Sequence, residues 1–192
     1  RREAIAEAHA TCDEGFPTRY QFAGIDNPEI TAWVDRFRQG PAECPSLLLM
    51  GPVGTGKSWA AYGALRAVAT HVVYLRSRIW HGTSYRCTTY ADFVASMRPR
   101  NGWDPERELE QLRRVPMLFM DDLGVAKGSD YVEEVTYRLI NGRYEDELPS
   151  IFTTNLPPEE FAAKLGDRLA SRLIETCTQV LLTGPDRRRV AA

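Results

Sequence analysis

From residue 46 onward the chain alternates short apolar runs with longer stretches whose apolar residues recur every three or four positions. The short runs, at 46–50, 71–75, 115–120, 150–153 and 178–182, have the length and composition of buried strands. The stretches between them, at 57–69, 90–97, 104–114, 130–147 and 158–175, predict helices, with Pro105 in the first turn of one and Gly166 breaking the last. Strands that alternate with helices pair in parallel and carry the helices on their faces, so the expected architecture is a three-layer α/β/α fold on a five-stranded parallel sheet. Ahead of the sheet, Asn27-Pro28 opens a helix in which Ile30, Trp33, Val34 and Phe37 share one face, and Gly40-Pro41 ends it. That helix is expected to pack on the sheet. Residues 3–14 predict a polar-faced helix stopped at Gly15, and 16–20 an extended connector, both read as lead-in and not core. The division that follows is an N-terminal helix and linker, 1–40, and a core, 41–192.

Composition adds exclusions. With 43% hydrophobic and 26% charged residues the chain is neither a disordered nor a membrane-spanning type, and its 192 residues suit one domain. Its longest apolar run is strand-sized and its start has no apolar signal core, which predicts a cytoplasmic protein without a membrane partner. Cys12, Cys44, Cys87 and Cys177 are widely spaced and form no C-x-x-C pair, so reduced thiols and no structural metal are expected. A net charge of -2 argues against a wholly basic nucleic-acid binder but leaves room for a local patch. Residues 76–100 hold such a mixture: Arg76, Arg78, Arg86, Arg98 and Arg100 with Trp80, Tyr85 and Tyr90. It suits single-stranded DNA, and it suits somewhat better an exposed connector whose aromatics cover the sheet. A start at Arg1, with no methionine, is compatible with an excised domain.

The most specific chemistry lies between the first strand and its helix. Gly51-Pro52-Val53-Gly54-Thr55-Gly56-Lys57-Ser58 matches the phosphate-loop pattern G-x-x-x-x-G-K-[ST] in the context its mechanism needs, after a strand and opening a helix. Glycines let the backbone wrap phosphates, and the helix directs its positive end at them. Lys57 is the candidate for the β and γ phosphates of ATP, Ser58 for Mg2+, and Trp59 follows as a further nucleotide-contact candidate. Asp121 and Asp122 end an apolar strand, where the ends of parallel strands face ligands. Asp121 is the candidate metal ligand and Asp122 the carboxylate that polarises water. Thr153-Thr154-Asn155 ends the next strand; Asn155 either reaches the same water or caps the turn before Pro157-Pro158. Arg168, Arg172 and Arg188 are candidates for a guanidinium at the γ phosphate, although Arg168 and Arg172, four apart, also fit a salt-bridged helix surface.

Taken in order, these segments resemble the DnaC/IstB-type branch of AAA+ ATPases, which comprises replicative helicase loaders and transposition helper ATPases. The likeness runs from Phe16 to Arg188. It rests on Phe16-Pro17-Thr18-Arg19-Tyr20, the phosphate loop as Walker A, Leu118-Phe119-Met120-Asp121-Asp122-Leu123-Gly124 as Walker B, Thr153-Thr154-Asn155 as sensor 1, Arg168-Leu169-Ala170-Ser171-Arg172-Leu173 as the arginine-finger segment, and Gly184-Pro185-Asp186-Arg187-Arg188 as the final turn. The resemblance implies a P-loop NTPase fold of AAA+ type and an Mg-dependent ATPase that self-associates with ATP. It also implies Asn155 as sensor 1, Arg172 as a finger acting on a neighbouring subunit's ATP, and Arg188 as a sensor-2-like contact. The implied partners are the replicative helicase and single-stranded DNA; a transposase on double-stranded DNA, or a nucleotide-gated adaptor with little hydrolysis, are the alternatives. Two departures alter the expectation. The chain stops soon after Arg188, so a full C-terminal helical lid is not expected, and Asp122 stands where glutamate is common, which implies slow hydrolysis.

Overall fold

The computed structural model describes residues 15–79, 85–125 and 129–187. Helix α1 (Pro28–Gln39) begins where the Asn27 side chain accepts hydrogen bonds from the amides of Glu29 (2.8 Å) and Ile30 (3.1 Å), with Pro28 pre-set for the first turn. Five strands follow: β1 (Ser46–Met50), β2 (Tyr85–Thr89), β3 (Met117–Asp121), β4 (Ser150–Thr154) and β5 (Cys177–Leu181). Between and after them lie α2 (Lys57–Ile79), α3 (Tyr90–Ser96), α4 (Pro105–Arg114), α5 (Asp130–Glu145), α6 (Phe161–Leu165) and α7 (Asp167–Thr176).

The strands form one parallel sheet in the order β2-β3-β4-β1-β5, with Leu48 level with Phe152 on one side and Gln179 on the other. Alternation along β1 divides the core. Leu47 and Leu49 pack with Met117, Phe119 and Ile151 against α1 and α2, whereas Leu48 and Met50 pack with Leu118, Met120 and Phe152 against α3 to α7. Both sheet faces are covered, as a parallel sheet requires.

Two expectations are corrected. Residues 71–75 belong to α2, which continues to Ile79, and the edge strand is Tyr85–Thr89. His71-Val72-Val73-Tyr74-Leu75 has no proline or glycine before it to stop the helix, and a short apolar run is compatible with either structure. The strand itself is only half covered, so it lacks the apolar run that marks the central strands. The lead-in is also part of the core. Phe16 is buried with its ring edge-on to Tyr62 (4.8 Å), and Thr18–Tyr20 forms a 3-10 turn, not an extended connector. The helix expected at 3–14 lies outside the described residues.

Candidate nucleotide site

The C-terminal ends of β1, β3 and β4 converge, and their side chains are tied into one network. The loop leaving β1 turns through Gly51, Gly54 and Gly56 at φ 144°, 87° and 92°. At Gly51 a Cβ would lie 2.1 Å from the Leu182 carbonyl oxygen, so no side chain fits where the loop passes β5. The Thr55 hydroxyl donates to the Pro52 carbonyl (2.9 Å), and Lys57, almost fully buried, donates from Nζ to the carbonyls of Gly51 (2.7 Å) and Pro52 (2.8 Å). Lys57 is also the first residue of α2, so the positive end of that helix opens at the same place.

Asp121 closes β3. Its Oδ1 accepts from the hydroxyls of Ser58 (3.0 Å) and Thr153, so residues from α2, β3 and β4 meet on one oxygen. Thr153 in turn accepts from the Asp122 amide at 2.9 Å, and Asn155 Nδ2 donates to Asp122 Oδ1 at 3.1 Å. Asp122 sits at φ 57°, a left-handed conformation in which aspartate is tolerated better than most residues. These contacts hold both carboxylates at the mouth of a cleft of about 750 Å3.

Of the residues singled out from sequence, Val53, Gly54, Gly56, Lys57, Ser58, Trp59, Asp121, Asp122 and Asn155 line that cleft. Gly51, Pro52 and Thr55 shape the loop behind it. Arg172 is not among the lining residues; it lies on α7 beside Tyr144 and Glu175. Arg188 lies outside the described residues. Three lining residues were not singled out: Arg19, Tyr20 and Arg187. Arg187 donates its amide to the Gly54 carbonyl (3.0 Å) and its guanidinium to Asp26 (2.7 Å), while the Tyr20 ring stacks on Tyr62 at 4.4 Å. Their signal lies in the family segments that contain them, not in any local spacing.

Apart from the exposed Arg98, the described residues of the basic and aromatic stretch are already engaged. Arg86 pairs with Glu108 (2.7 Å), Tyr85 meets the Phe16 ring, Tyr90 is buried against Thr136, and Arg100 stacks on Trp103 at 4.8 Å. Trp80 and the side chains of Arg76 and Arg78 lie outside the description.

The Asp121 carboxyl is pushed above the ordinary aspartate range by burial and by the adjacent Asp122, while hydrogen bonds from Thr153, Ser58 and the Asp122 amide act in the other direction. A carboxyl whose folded pKa is raised contributes stability below its unfolded pKa, and that contribution is lost as pH rises through the folded value. The ionised form of Asp121 is thus disfavoured by the fold of the protein without nucleotide. Asp121→Asn keeps an oxygen for Ser58 and Thr153 and is expected to raise the melting temperature by about 2–4 °C at pH 7, a gain that shrinks toward pH 4. Melting curves across that range check the sign; a variant that melts below the parent at pH 7 would exclude charge burial as the dominant effect.

Glycine-turned backbone, a buried lysine, a helix start and a hydroxyl-carboxylate pair form the donor set that a nucleotide phosphate with a hard divalent cation requires. The sheet order, the loop after β1 and the acidic pair at the end of β3 define a P-loop nucleotide-binding fold. The family model for IstB-like ATP binding proteins matches residues 42–189, and the chain belongs to that family. The replicative helicase loader DnaC of Escherichia coli K12 is 28% identical over 131 residues, which make up 67% of this chain and 49% of that protein. The chain therefore spans about half the length of such curated relatives. An ATP-binding protein of an insertion sequence in Mycobacterium tuberculosis is 25% identical over 195 residues, covering 97% of this chain and 71% of that one. Among solved structures, DnaI superposes with a TM-score of 0.70 at 21% identity, covering 90% of this chain and 94% of that chain.

Proposed function

We propose that this chain is the ATP-hydrolysing core of a protein that loads or regulates the replicative helicase in the cytoplasm, acting with single-stranded DNA and self-associating when ATP is bound. The supporting observation is the hydrogen-bonded set Ser58, Asp121, Thr153, Asp122 and Asn155, which holds two carboxylates of different surroundings side by side. Lys57 exchanges its loop carbonyls for phosphate oxygens. Ser58 and Asp121 would hold Mg2+, which would supply positive charge for the transferring phosphoryl group. Asp122 orients and polarises the attacking water, and Asn155 fixes the rotamer of Asp122 through its amide. Arg172 reaches the nucleotide of a neighbouring copy, while Arg187 and Arg188 serve the chain's own. The likeness to DnaC supports the helicase loader as the relevant class. No helix among the described residues is long and apolar enough to cross a membrane.

One observation favours a second reading. The insertion-sequence protein aligns with 97% of the chain against 67% for DnaC, which supports a transposition helper that acts with a transposase on double-stranded DNA. Both readings require turnover. Asp122→Asn is expected to reduce phosphate release on the order of 100-fold with nucleotide affinity within about twofold of the parent. If release is already negligible in the parent and unchanged in the variant, the chain is a nucleotide-gated adaptor. Tagged parent protein with ATP should then retain the replicative helicase under the first reading and a transposase under the second.

A further inference from the structure

Outside the nucleotide cleft, the outer faces of α5 and α7 carry a small constellation that the mechanism above does not use. Tyr137 and Tyr144 stand two helical turns apart on α5, and Arg168 and Arg172 one turn apart on α7, so the two pairs face each other along packed helices. The Arg168 guanidinium carbon lies 4.6 Å from the Tyr137 ring centre and that of Arg172 lies 5.0 Å from the Tyr144 ring centre. Arg172 donates to Glu175 at 3.2 Å. Arg172 is thus restrained by a ring and a carboxylate while remaining on the surface, with 23% of its side chain exposed. Tyr144 itself is half exposed.

A long side chain that only solvates a helix retains its rotamer freedom, and ordering it carries an entropic cost. Here two tyrosines accept that ordering. A ring face holds a guanidinium by its flat side and leaves the N-H edge available for a planar anion, which a carboxylate partner alone does not do. We infer that Tyr144 is a positioning residue that holds Arg172 ready for the nucleotide of a neighbouring copy of this chain. The inference rests on the reading of Arg172 given above. Tyr144 does not line its own cleft, so its effect must appear across a subunit boundary.

Mixed subunits separate the roles. Arg172→Ala chains keep an intact cleft but lack the finger; Asp122→Asn chains bind nucleotide, hydrolyse slowly and still carry the finger. Mixing the two should restore phosphate release. Donors carrying Asp122→Asn with Tyr144→Leu should restore it about tenfold less well, whereas Asp122→Asn with Tyr144→Phe, which keeps the ring face, should match the plain donor. Labelled-nucleotide affinity and melting temperature of each donor should equal those of Asp122→Asn alone. If the leucine donor restores release as well as the plain donor, the positioning role is wrong. If Arg172→Ala alone hydrolyses at the parent rate, the underlying reading of Arg172 fails instead, and the positioning role with it.

Discussion

Lys57→Ala is expected to lose Mg-nucleotide uptake by on the order of 100-fold, read by titration calorimetry on the purified chain. The side chain is 5% exposed and its ammonium rests on two loop carbonyls, Gly51 and Pro52, so in the nucleotide-free protein it serves as an internal clamp for the loop. On binding, those neutral acceptors are exchanged for phosphate oxygens that carry full charge, and a charge-assisted bond is about twice as strong as a neutral one. Alanine removes that gain and also leaves the loop carbonyls without the donor that fixes them. Both effects act in the same direction on affinity. The fold should survive, because the loop is anchored independently by Thr55 to Pro52 and by the Arg187 amide to Gly54. Uptake unchanged from the parent would overturn the assignment of this cleft as the nucleotide site.

The parts of this site that could be read from sequence are those whose chemistry is compressed into a contiguous string. The loop from Gly51 to Ser58 is one such string, and the apolar strand that ends in Asp121 and Asp122 is another. Their residues fall in one cleft because parallel strands all end on the same side of a sheet. Where function is assembled from separate segments the string is silent. Arg19 and Tyr20 line the cleft from before the first strand and Arg187 from beyond the last, where it pairs with Asp26, 161 residues away. Thr153 was legible as a polar strand end, but not as the hydroxyl that links both aspartates. The error at 71–75 has a different source. An apolar five-residue run carries no period long enough to distinguish strand from helix, and the polar edge strand Tyr85–Thr89 lacks the run by which its neighbours are recognised.

Arg143 shows the same limit for stability, and its replacement by methionine is expected to cost about 3–5 kcal/mol. In sequence it is one more arginine in the last turn of a helix. In the fold it is 1% exposed and makes five hydrogen bonds: to the Ser150 hydroxyl (2.7 Å) and to the carbonyls of Leu112 (3.0 Å), Arg113 (2.9 Å), Val115 (2.6 Å) and Pro149 (2.9 Å). The carbonyls of Leu112, Arg113 and Val115 lie at the C-terminal end of α4, which has no further helical amides to satisfy them, while Pro149 leads into β4 and Ser150 begins it. Burial brings the guanidinium pKa down to about 9, with Asp146 opposing, so at pH 7 it is still a cation and its desolvation cost is fully present. Removing a buried charge together with its partner is often neutral, but backbone carbonyls cannot be removed with the side chain. Methionine fills the volume and takes the guanidinium donor from three buried carbonyls and one partly buried one, at about 1–3 kcal/mol for each buried acceptor before relaxation or water entry. The loss therefore outweighs the recovered desolvation. Urea unfolding of Arg143→Met against the parent measures it, and since these contacts lie at the end of the sheet opposite the cleft, nucleotide affinity of the folded fraction should be unchanged. A variant as stable as the parent would show that water reaches these carbonyls and that the guanidinium is dispensable to the junction of α4 with β4.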